Sequence, residues 1–503
     1  MLKNLIEKVD YYWLFFIITI ILCFGFFLTN SNFGIDDELL NWYGSVYSIV
    51  SIGRLGRILQ WVIGYDYLPF FYDFIAILLY AIGITLSADC FMQYIENFTK
   101  KQATVFACIA VSFPFTAFLF AFIIITIHTG ISIFLTALGT YLFCKYLFDC
   151  NKKRNLIFTF LCLITAVSLY ENSIIYFLIS MFFIILMSNK NRIKLIIKTI
   201  IASISPVIVY LFILKILKAI MGIQYNRSEE FIKYDFSSVT SFFNSFINSF
   251  NILFTNYIKT IHNNFGSFTI ILSNFLFVFI IIYLAIKRKS INTIFVGLIM
   301  ILLPISTFII MGNGELYYRV YAPFGYFIGI TFSILFSLLN NKKIITYMLT
   351  VFCILIVLNQ AKEINKIFYT ENIKFQDDLS FAKLIINDLK KRNLDKKPVI
   401  LAGTRENIIL QYNYYIEAPE IMISIFNWDK YQENSSNFMI ERGFKFMKQF
   451  GLNIIPFREY TRNNMKKIEK EIPKMTIFPQ NGSIKDMDNF VIIKIGKTYL
   501  DRN

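Results

Sequence analysis

The 503-residue chain is 56% hydrophobic and only 16% charged, whereas soluble domains are about a quarter charged. This composition excludes an ordinary soluble protein and predicts that lipid solvates much of the chain. In a soluble protein the formal net charge of +16 would suggest nucleic-acid binding. Here much of the excess lies in short loops between apolar segments, where basic residues set membrane topology, so we expect no nucleic-acid partner.

Apolar segments that are long enough to cross a bilayer recur along the chain, since a spanning helix needs about 20 apolar residues. We therefore predict an all-α polytopic membrane protein with about eleven transmembrane helices. The fifth and sixth are short and form either a tight hairpin or a re-entrant pair. The predicted spans are 11–29, 68–88, 104–126, 130–148, 156–170, 173–188, 195–214, 267–286, 291–311, 321–339 and 344–359.

Basic residues in alternate connections predict the orientation. Pairs or triplets of Lys and Arg follow every second span, and Lys3 and Lys8 precede the first. By the positive-inside rule these connections and the N-terminus lie in the cytoplasm. We expect the membrane to be of the bacterial cytoplasmic type. The segments predicted to lie outside are 30–67, 215–266, 312–320 and everything from residue 360.

The chain beyond the last span has a different pattern. Asp377–Arg392, with Leu384 on its apolar face, and Ser436–Phe450 are predicted as helices. Alternating helices and strands predict a C-terminal extracytoplasmic α/β domain over 360–503, after a transmembrane domain over 1–359. The short apolar segments typical of buried strands are 398–402, 421–426, 452–456 and 490–495.

An acidic run, Asp36, Asp37 and Glu38, follows the first span directly. Clustered carboxylates repel one another, which raises the pKa of at least one and suits a general base or a metal ligand. In the alternative, structural interpretation, Asp36 caps an interfacial helix and the next two acids stabilise its positive N-terminal end. The two roles are compatible, because capping also fixes a side chain in place.

Two arginines follow in the same loop. Arg54 and Arg57 are three residues apart, so on a helix they would share a face. A guanidinium group binds phosphate bidentately and stays charged at the boundary of water and lipid, which predicts a site for a lipid phosphate. The alternatives are contact with anionic headgroups and pairing with the nearby acids.

Other ionisable or polar residues lie at the predicted outer ends of helices. Such groups are expensive near membrane depth and are therefore site candidates, although Glu171 and Arg319 could instead form a structural ion pair. The two histidines, His128 and His262, lie far apart and are interpreted as solvated or interfacial, without a metal or catalytic role. The further site candidates are Asp73, Tyr170, Glu171, Glu315 and Arg319.

Together these features resemble the bacterial glucosyltransferase family that modifies O-antigen and related surface glycans, which is similar in plan to the GT-C class of membrane glycosyltransferases. The resemblance covers most of the chain, and its first-loop motif is the most specific part. The residues that carry it are Ile35–Glu38, Trp42, Gly53–Arg57, Tyr170–Asn172 and Tyr318–Val320, followed by the C-terminal α/β region.

The resemblance implies that a sugar, typically glucose, moves from a polyprenyl-phosphate donor to an extracytoplasmic glycan acceptor, with inversion. The general base would be Asp36 or Asp37, with Asp37 preferred and Asp36 orienting. The donor phosphate would lie on Arg54, Arg57 and Arg319. The residues expected to contact the substrates are Glu38, Asp73, Tyr170, Glu171 and Glu315.

The same resemblance implies membrane lipids, a donor synthase and a flippase as partners. It requires no cofactor and assigns no metal ligand, although the carboxylates of Asp36–Glu38 could hold a divalent cation such as Mg²⁺ or Mn²⁺. The alternatives are a flippase or transporter for lipid-linked sugars, a surface-polysaccharide polymerase and a non-catalytic scaffold. Sparse charge at mid-membrane depth and the lack of a repeated half disfavour a transporter, and the tandem acids favour the glycosyltransferase.

Overall fold

The protein is seen here in a computed structural model that forms two compact units. Unit 1 comprises Met1–Ser31 and Gly44–Asn365, and unit 2 comprises Asn32–Tyr43 and Lys366–Asn503. The domain boundary between 359 and 360 was drawn from membrane location, and it stays a prediction. The described residues are 11–30, 33, 45–58, 70–188, 192–224, 237–244, 247–248, 267–307, 318–339, 342–405, 424–427, 441–459 and 461–498.

Unit 1 is built from helices. A long helix, α13, begins in unit 1 and ends in unit 2. The α-helices are α1 (Tyr11–Thr29), α2 (Val46–Ile52), α3 (Phe71–Tyr94), α4 (Lys100–Ser112), α5 (Ala117–Phe120), α6 (Ile123–Cys144), α7 (Lys153–Leu169), α8 (Ser173–Met187), α9 (Arg192–Ile220), α10 (Ser267–Arg288), α11 (Ile291–Leu302), α12 (Phe324–Leu339) and α13 (Lys343–Lys391). Shorter 3-10 turns are Leu55–Ile58, Pro114–Thr116, Leu303–Ile305 and Tyr318–Tyr321, and α6 continues as a π-helix over Lys145–Cys150.

The structure supports a polytopic membrane protein. Within the described residues, seven helices are long and apolar enough to cross a bilayer, or eight if the bent pair α4 and α5 counts as one span. Ser173–Met187 and Ile291–Ile305 are apolar but shorter. A helix overlaps each of the eleven predicted spans, although several bounds differ; α6 begins at Ile123 and not at residue 130, and α13 continues to Lys391 through the helix predicted separately at Asp377–Arg392. The number of helices that cross the membrane stays a prediction.

The third predicted span is corrected in both its start and its shape. It begins at Lys100, because Thr99 caps the helix and its N–H donates to Gln102 Oε1 at 2.7 Å, a reciprocal capping box. It then bends by 54° where Pro114 opens a 3-10 turn. Proline lacks an N–H and its ring crowds the preceding turn, so the helix cannot run straight through it.

Small residues allow the helices of unit 1 to approach closely. A Cβ added at Gly130 on α6 would lie 2.4 Å from the carbonyl oxygen of Ala76 on α3, and one at Gly329 on α12 would lie 2.7 Å from that of Phe106 on α4. Close backbone contact is how helices gain dispersion energy where lipid removes the hydrophobic driving force. Aromatic rings fill the remaining space, with Phe106 edge-to-face on Tyr326 at 5.1 Å.

The surface of unit 1 is apolar along several helices. Ile21 on α1 is 62% exposed, and Ile208 and Phe212 on α9 are 60% and 64% exposed. Rows of exposed aliphatic and aromatic side chains would be unfavourable in water and are what lipid contact requires.

Unit 2 contains a three-stranded sheet. Its elements after α13 are β1 (Val399–Ala402), α14 (Glu441–Gln449), α15 (Arg462–Glu471), β2 (Ile484–Asp486) and β3 (Val491–Lys494), with a 3-10 turn at Ile472–Lys474. The strand order is β1-β3-β2. β1 runs parallel to β3 with Val399 opposite Val491, and β2 runs antiparallel to β3 with Ile484 opposite Ile493.

Both faces of this sheet are buried. Leu401 packs in one apolar cluster with Ile385 and Leu389 of α13, whereas its neighbour Ile400 packs in a second cluster with Ile468 of α15. Alternate residues of a strand point to opposite faces. Because helices cover both faces, β1 and β3 are apolar at nearly every position, as strands covered on both faces generally are.

Several predictions about unit 2 are wrong. The described part of the strand predicted at 421–426 forms a turn, and the segment 452–456 forms no strand beyond one isolated bridge from Pro456 to Val399. Leu384, placed on the apolar face of its helix, is 54% exposed. The strand β2 was missed, because two of its three residues are charged and exposed.

A buried carboxylate joins α13 to the turn at 424–427. Asp378 is only 2% exposed. Its carboxylate accepts a hydrogen bond from Ser424 Oγ at 2.5 Å and another from the N–H of Ile425 at 2.9 Å. Arg405 Nη1 lies 3.4 Å from the same carboxylate, so the group is compensated within the protein.

The guanidinium of Arg405 also lies 2.7 Å from Asp377 and stacks 4.2 Å from the ring centroid of Phe381. Burial nevertheless dominates and raises the pKa of Asp378 to about 6, against the lowering effect of Lys374, of its hydrogen bonds and of Arg405. The charged form of Asp378 is therefore held at a cost.

We expect Asp378→Asn to remove a pH dependence of stability. The folded-state pKa lies above the ordinary value, so proton binding favours the folded protein. Relative to the variant, the wild type should lose on the order of 2 kcal/mol of unfolding free energy as the pH rises from about 4 through about 6. Calorimetric unfolding of the purified protein across this range measures it. Asp388→Asn, on the same helix, is the control, and parallel curves for wild type and Asp378→Asn would contradict the prediction.

Candidate functional site

The turn Tyr170–Asn172 joins α7 to α8 and lies at the centre of the candidate site. α7 ends where the Tyr170 N–H donates to Ala166 O, and α8 begins where the Ser173 N–H donates to Tyr170 O at 3.1 Å. A connection this short leaves the side chain of Glu171 half exposed at 49%. The turn therefore presents a carboxylate and two polar neighbours at the ends of two apolar helices.

The two first-loop arginines lie beside a break in the chain. α2 ends at Gly53, whose φ of +76° is left-handed and favours glycine, and its carbonyl accepts a hydrogen bond from Tyr210 Oη. A 3-10 turn then covers Leu55–Ile58, and the Arg57 N–H donates to Arg54 O at 3.0 Å. Arg54 therefore directly precedes a 3-10 turn that contains Arg57, so the two residues do not lie on one α-helix.

Close packing holds this 3-10 turn against the end of α7. A Cβ added at Gly56 would lie 2.6 Å from Leu169 Cγ and 2.7 Å from Ser168 Oγ, so only glycine fits without a shift. Both arginines are buried as a result, with Arg54 7% and Arg57 2% exposed.

Arg54 is the residue that the structure joins to the turn by charge. Its Nε lies 3.8 Å from Glu171 Oε1. At that distance the pair is an ion pair without a direct hydrogen bond, and Nε has no hydrogen-bond partner among the described residues. A buried guanidinium costs several kcal/mol unless it is well compensated. The cluster therefore has donor capacity that a phosphate oxygen could use.

The segment that carries Arg319 contacts the same turn. Tyr170 Oη donates to Arg319 O at 3.5 Å, and Asn172 Nδ2 donates to Val320 O at 3.2 Å. Thr307 Oγ1 donates in turn to Asn172 Oδ1 at 2.7 Å. The sequence placed Asn172 in a motif but assigned it no role, and it proves to fix the segment that carries Arg319.

The guanidinium of Arg319 lies 5.3 Å from the ring centroid of Phe122, within cation–π distance. We use the name turn cluster for Arg54, Arg57, Tyr170, Glu171, Asn172 and Arg319. The structure thus brings four of the predicted site residues, from three separate parts of the sequence, to one turn: Arg54, Tyr170, Glu171 and Arg319.

Asp73 occupies a position that suits a structural carboxylate. It is 5% exposed and lies in the first turn of α3, whose positive dipole end favours a negative charge. His128 is 2% exposed, so the interpretation of a solvated or interfacial side chain is wrong for this residue. The predicted spans leave His128 between the third and the fourth, whereas in the structure it lies within α6 and helix packing buries it.

The acidic run lies outside the described residues, as do Glu315, Trp42 and His262. Phe33, three residues before Asp36 in the chain, is described and belongs to unit 2. The Phe33 ring packs against an aromatic cluster, at 6.2 Å from Phe375, 5.5 Å from Phe446 and 5.2 Å from Phe450.

Among the residues of unit 1 that the structure describes, neither grouped metal ligands nor two apolar cavities point to a further site. Among the described residues, no three His, Cys, Asp or Glu side chains are grouped to hold a metal ion, and the carboxylates of Asp36–Glu38 are not among those residues. Two cavities of about 230 and 360 Å³ are lined mainly by apolar side chains. Neither is lined by a residue predicted for the site, so the turn cluster remains the candidate.

Comparison with known protein families identifies a match over more than half of the chain. The profile of a family described as Glucosyl transferase GtrII matches residues 25–338, which is 314 of the 503 residues. The matched region includes the acidic run and every member of the turn cluster. No curated protein and no solved structure matches the chain.

We expect Gly56→Ala to disturb the turn cluster. The added methyl group meets Leu169 and Ser168 below van der Waals distance, so the 3-10 turn must move away from α7 at a cost of about 1–3 kcal/mol. Thermal unfolding of the purified protein should show a lower midpoint. Gly25→Ala on α1 is the matched control, because its nearest neighbour would lie at 3.8 Å. Equal midpoints for the two variants would contradict the proposed packing.

Proposed function

The chain belongs to the glucosyl transferase GtrII family, and we propose that it transfers glucose from a polyprenyl-phosphate donor to a glycan acceptor on the outer side of a bacterial cytoplasmic membrane. The family match carries this proposal, because it runs from the end of α1 to α12 and includes the acidic run. It favours a glycosyltransferase over a flippase, a polymerase or a scaffold. The apolar helices of unit 1 suit an enzyme whose donor is a lipid.

The proposed reaction is a single displacement. The acceptor hydroxyl oxygen attacks the anomeric carbon of glucose, the bond from that carbon to the phosphate oxygen breaks, and the anomeric centre inverts. Asp37 takes the acceptor proton as general base, with Asp36 orienting it, a role that contributes about 10²–10⁴-fold in rate. The electron pair leaves on the polyprenyl phosphate, so no nucleotide is consumed at this step.

The arginines are proposed to hold the donor phosphate. Charge develops on the leaving oxygen, and cations fixed beforehand in a site of low dielectric stabilise that charge more than water would. Arg54 and Arg57 are held rigidly by the Gly56 packing, and Arg319 is carried on a segment fixed by Asn172. These contacts support a preorganised phosphate cradle.

The exposure of Glu171 supports the proposal that a donor phosphate can reach these arginines. Its half-exposed side chain shows that the turn cluster reaches the surface of unit 1, while the two first-loop arginines lie beneath it. We propose that a donor phosphate competes with Glu171 for the Arg54 guanidinium. Glu38, Asp73, Tyr170 and Glu315 complete the proposed substrate contacts.

The remaining participants follow from the donor. We propose that a separate synthase makes the polyprenyl-phosphate sugar, that a flippase delivers it, and that both act in the same membrane. The reaction requires no cofactor, although a divalent cation on Asp36–Glu38 is compatible with it.

We expect Asp37→Asn to lower glucosyl transfer at least about 100-fold, because an amide cannot accept the acceptor proton. Asp36→Asn should cause a similar loss through misorientation of the base. Transfer of labelled glucose from polyprenyl-phosphate glucose, by purified protein of equal yield and thermal midpoint, is the measurement. Asp488→Asn in unit 2 is the control and should keep full activity. Full activity in both loop variants would remove the proposed base.

The proposed site requires that the first loop faces the outside of the cell. The charges of the loops predict that the C-terminus lies on the same side of the membrane. We expect an epitope tag after Asn503 to be cleaved by protease added to intact spheroplasts. A tag before Met1 should be protected until the membrane is opened. Protection of the C-terminal tag would overturn the orientation and with it the extracytoplasmic reaction.

A further inference from the structure

Unit 2 contains a large open groove that the proposed chemistry does not use. Its volume is about 1070 Å³. It is formed by the last turns of α13, the loop that follows that helix, helix α14 and the chain from Gly451 to Arg458. This part of the chain lies after residue 338, where the family match ends.

The groove is strongly basic. One carboxylate, Asp395, lies among its lining residues, against five cationic side chains. Lys390, Lys396, Lys448 and Arg458 are exposed, and none of these four lies within ion-pairing distance of a carboxylate among the residues that the structure describes. The cations that line the groove are Lys390, Lys396, Lys445, Lys448 and Arg458.

Apolar side chains alternate with these charges. Ile455 is 51% exposed, and Leu452 and Ile454 are partly buried against the core beneath the groove. A sugar ring has apolar C–H faces as well as polar edges. A surface that combines aliphatic patches with cations therefore suits a chain of sugars that carries negative charge.

We propose that this basic groove binds an anionic glycan chain, bearing phosphate or carboxylate groups, that serves as the acceptor. The inference rests on the proposed function only in taking the acceptor to be a glycan. It adds the charge class of that glycan and assigns its binding to unit 2.

Size and shape favour a glycan over a lipid headgroup. Pockets for drug-sized ligands are about 300–1,000 Å³, so this groove is large enough for several linked sugars and is too large for one headgroup. A single-stranded nucleic acid would need exposed aromatic faces for stacking. The aromatic residue that lines the groove, Phe444, is buried.

The test measures binding to the full-length protein in phosphatidylcholine nanodiscs, without donor. The probes are fluorescent oligogalacturonate and a neutral maltooligosaccharide of the same length. Lys448→Glu/Arg458→Glu should weaken oligogalacturonate binding at least about tenfold, through reversed charge. The matched control is Lys466→Glu/Lys467→Glu, an equal charge change on two exposed residues of α15, and it should change the dissociation constant less than about twofold.

Screening gives a second readout. Oligogalacturonate binding by the wild type should weaken steeply as salt rises from about 50 to about 500 mM, and the neutral oligosaccharide should bind more weakly throughout. We call Lys448→Glu/Arg458→Glu the groove variant. The proposal would be overturned if the groove variant and the control lost oligogalacturonate affinity equally, or if the wild type bound the two probes with equal affinity. The proposal would also be overturned if the groove variant lost binding to phosphatidylglycerol vesicles but bound oligogalacturonate as the wild type does, since the groove would then be a lipid site.

Glucosyl transfer separates this inference from the proposed function. With an acidic acceptor, the groove variant should raise the acceptor KM at an unchanged kcat. If the groove variant binds oligogalacturonate as the wild type does while transfer persists, the groove inference fails and the enzyme assignment stands. If oligogalacturonate binds as expected but no acceptor receives glucose, the enzyme assignment fails while the groove remains a glycan site.

Discussion

Burying two guanidinium groups among apolar helices is the constraint on which the candidate site depends. Arg54 and Arg57 cannot shed their charge, and the surface around them offers aliphatic side chains. The structure compensates by bringing Glu171 from a distant turn to 3.8 Å from Arg54. Hydrogen bonds also join the same turn to the segment that carries Arg319. The turn between α7 and α8 therefore both compensates the charge of Arg54 and positions Arg319.

This arrangement explains why short connections matter in unit 1. The turn at Tyr170–Asn172 is tight because α7 and α8 end within three residues of each other, and the missing Cβ of Gly56 lets the arginine turn approach α7. A cradle held this way would not reorganise greatly on binding, which is the property that makes fixed cations effective toward developing charge. Its rigidity comes from packing that has no catalytic chemistry of its own.

Unit 2 is organised around its small sheet. Its small sheet is covered on both faces, by α13 on one and α15 on the other. Its apolar residues form the two buried clusters on either face of the sheet, and five of its cationic residues line the groove. The aromatic cluster of unit 2 also holds Phe33, three residues before the acidic run, so unit 2 anchors the chain that leads to the proposed base.

The sequence by itself determined the membrane class, the approximate positions of the apolar helices that the structure describes and the candidate polar residues, because lipid solvation and helix formation depend on local composition and spacing. It did not determine where the third span bends, where α6 begins or that α13 continues unbroken to Lys391. Only the tertiary structure decided the partner of Arg54, the burial of His128 and the fixing role of Asn172. These depend on contacts between residues that are far apart in the chain, for which spacing carries no information. The same reason explains the strand predictions. β1 and β3 could be recognised because they are apolar, whereas β2, with two charged residues of three, is a strand because it pairs with the edge of β3.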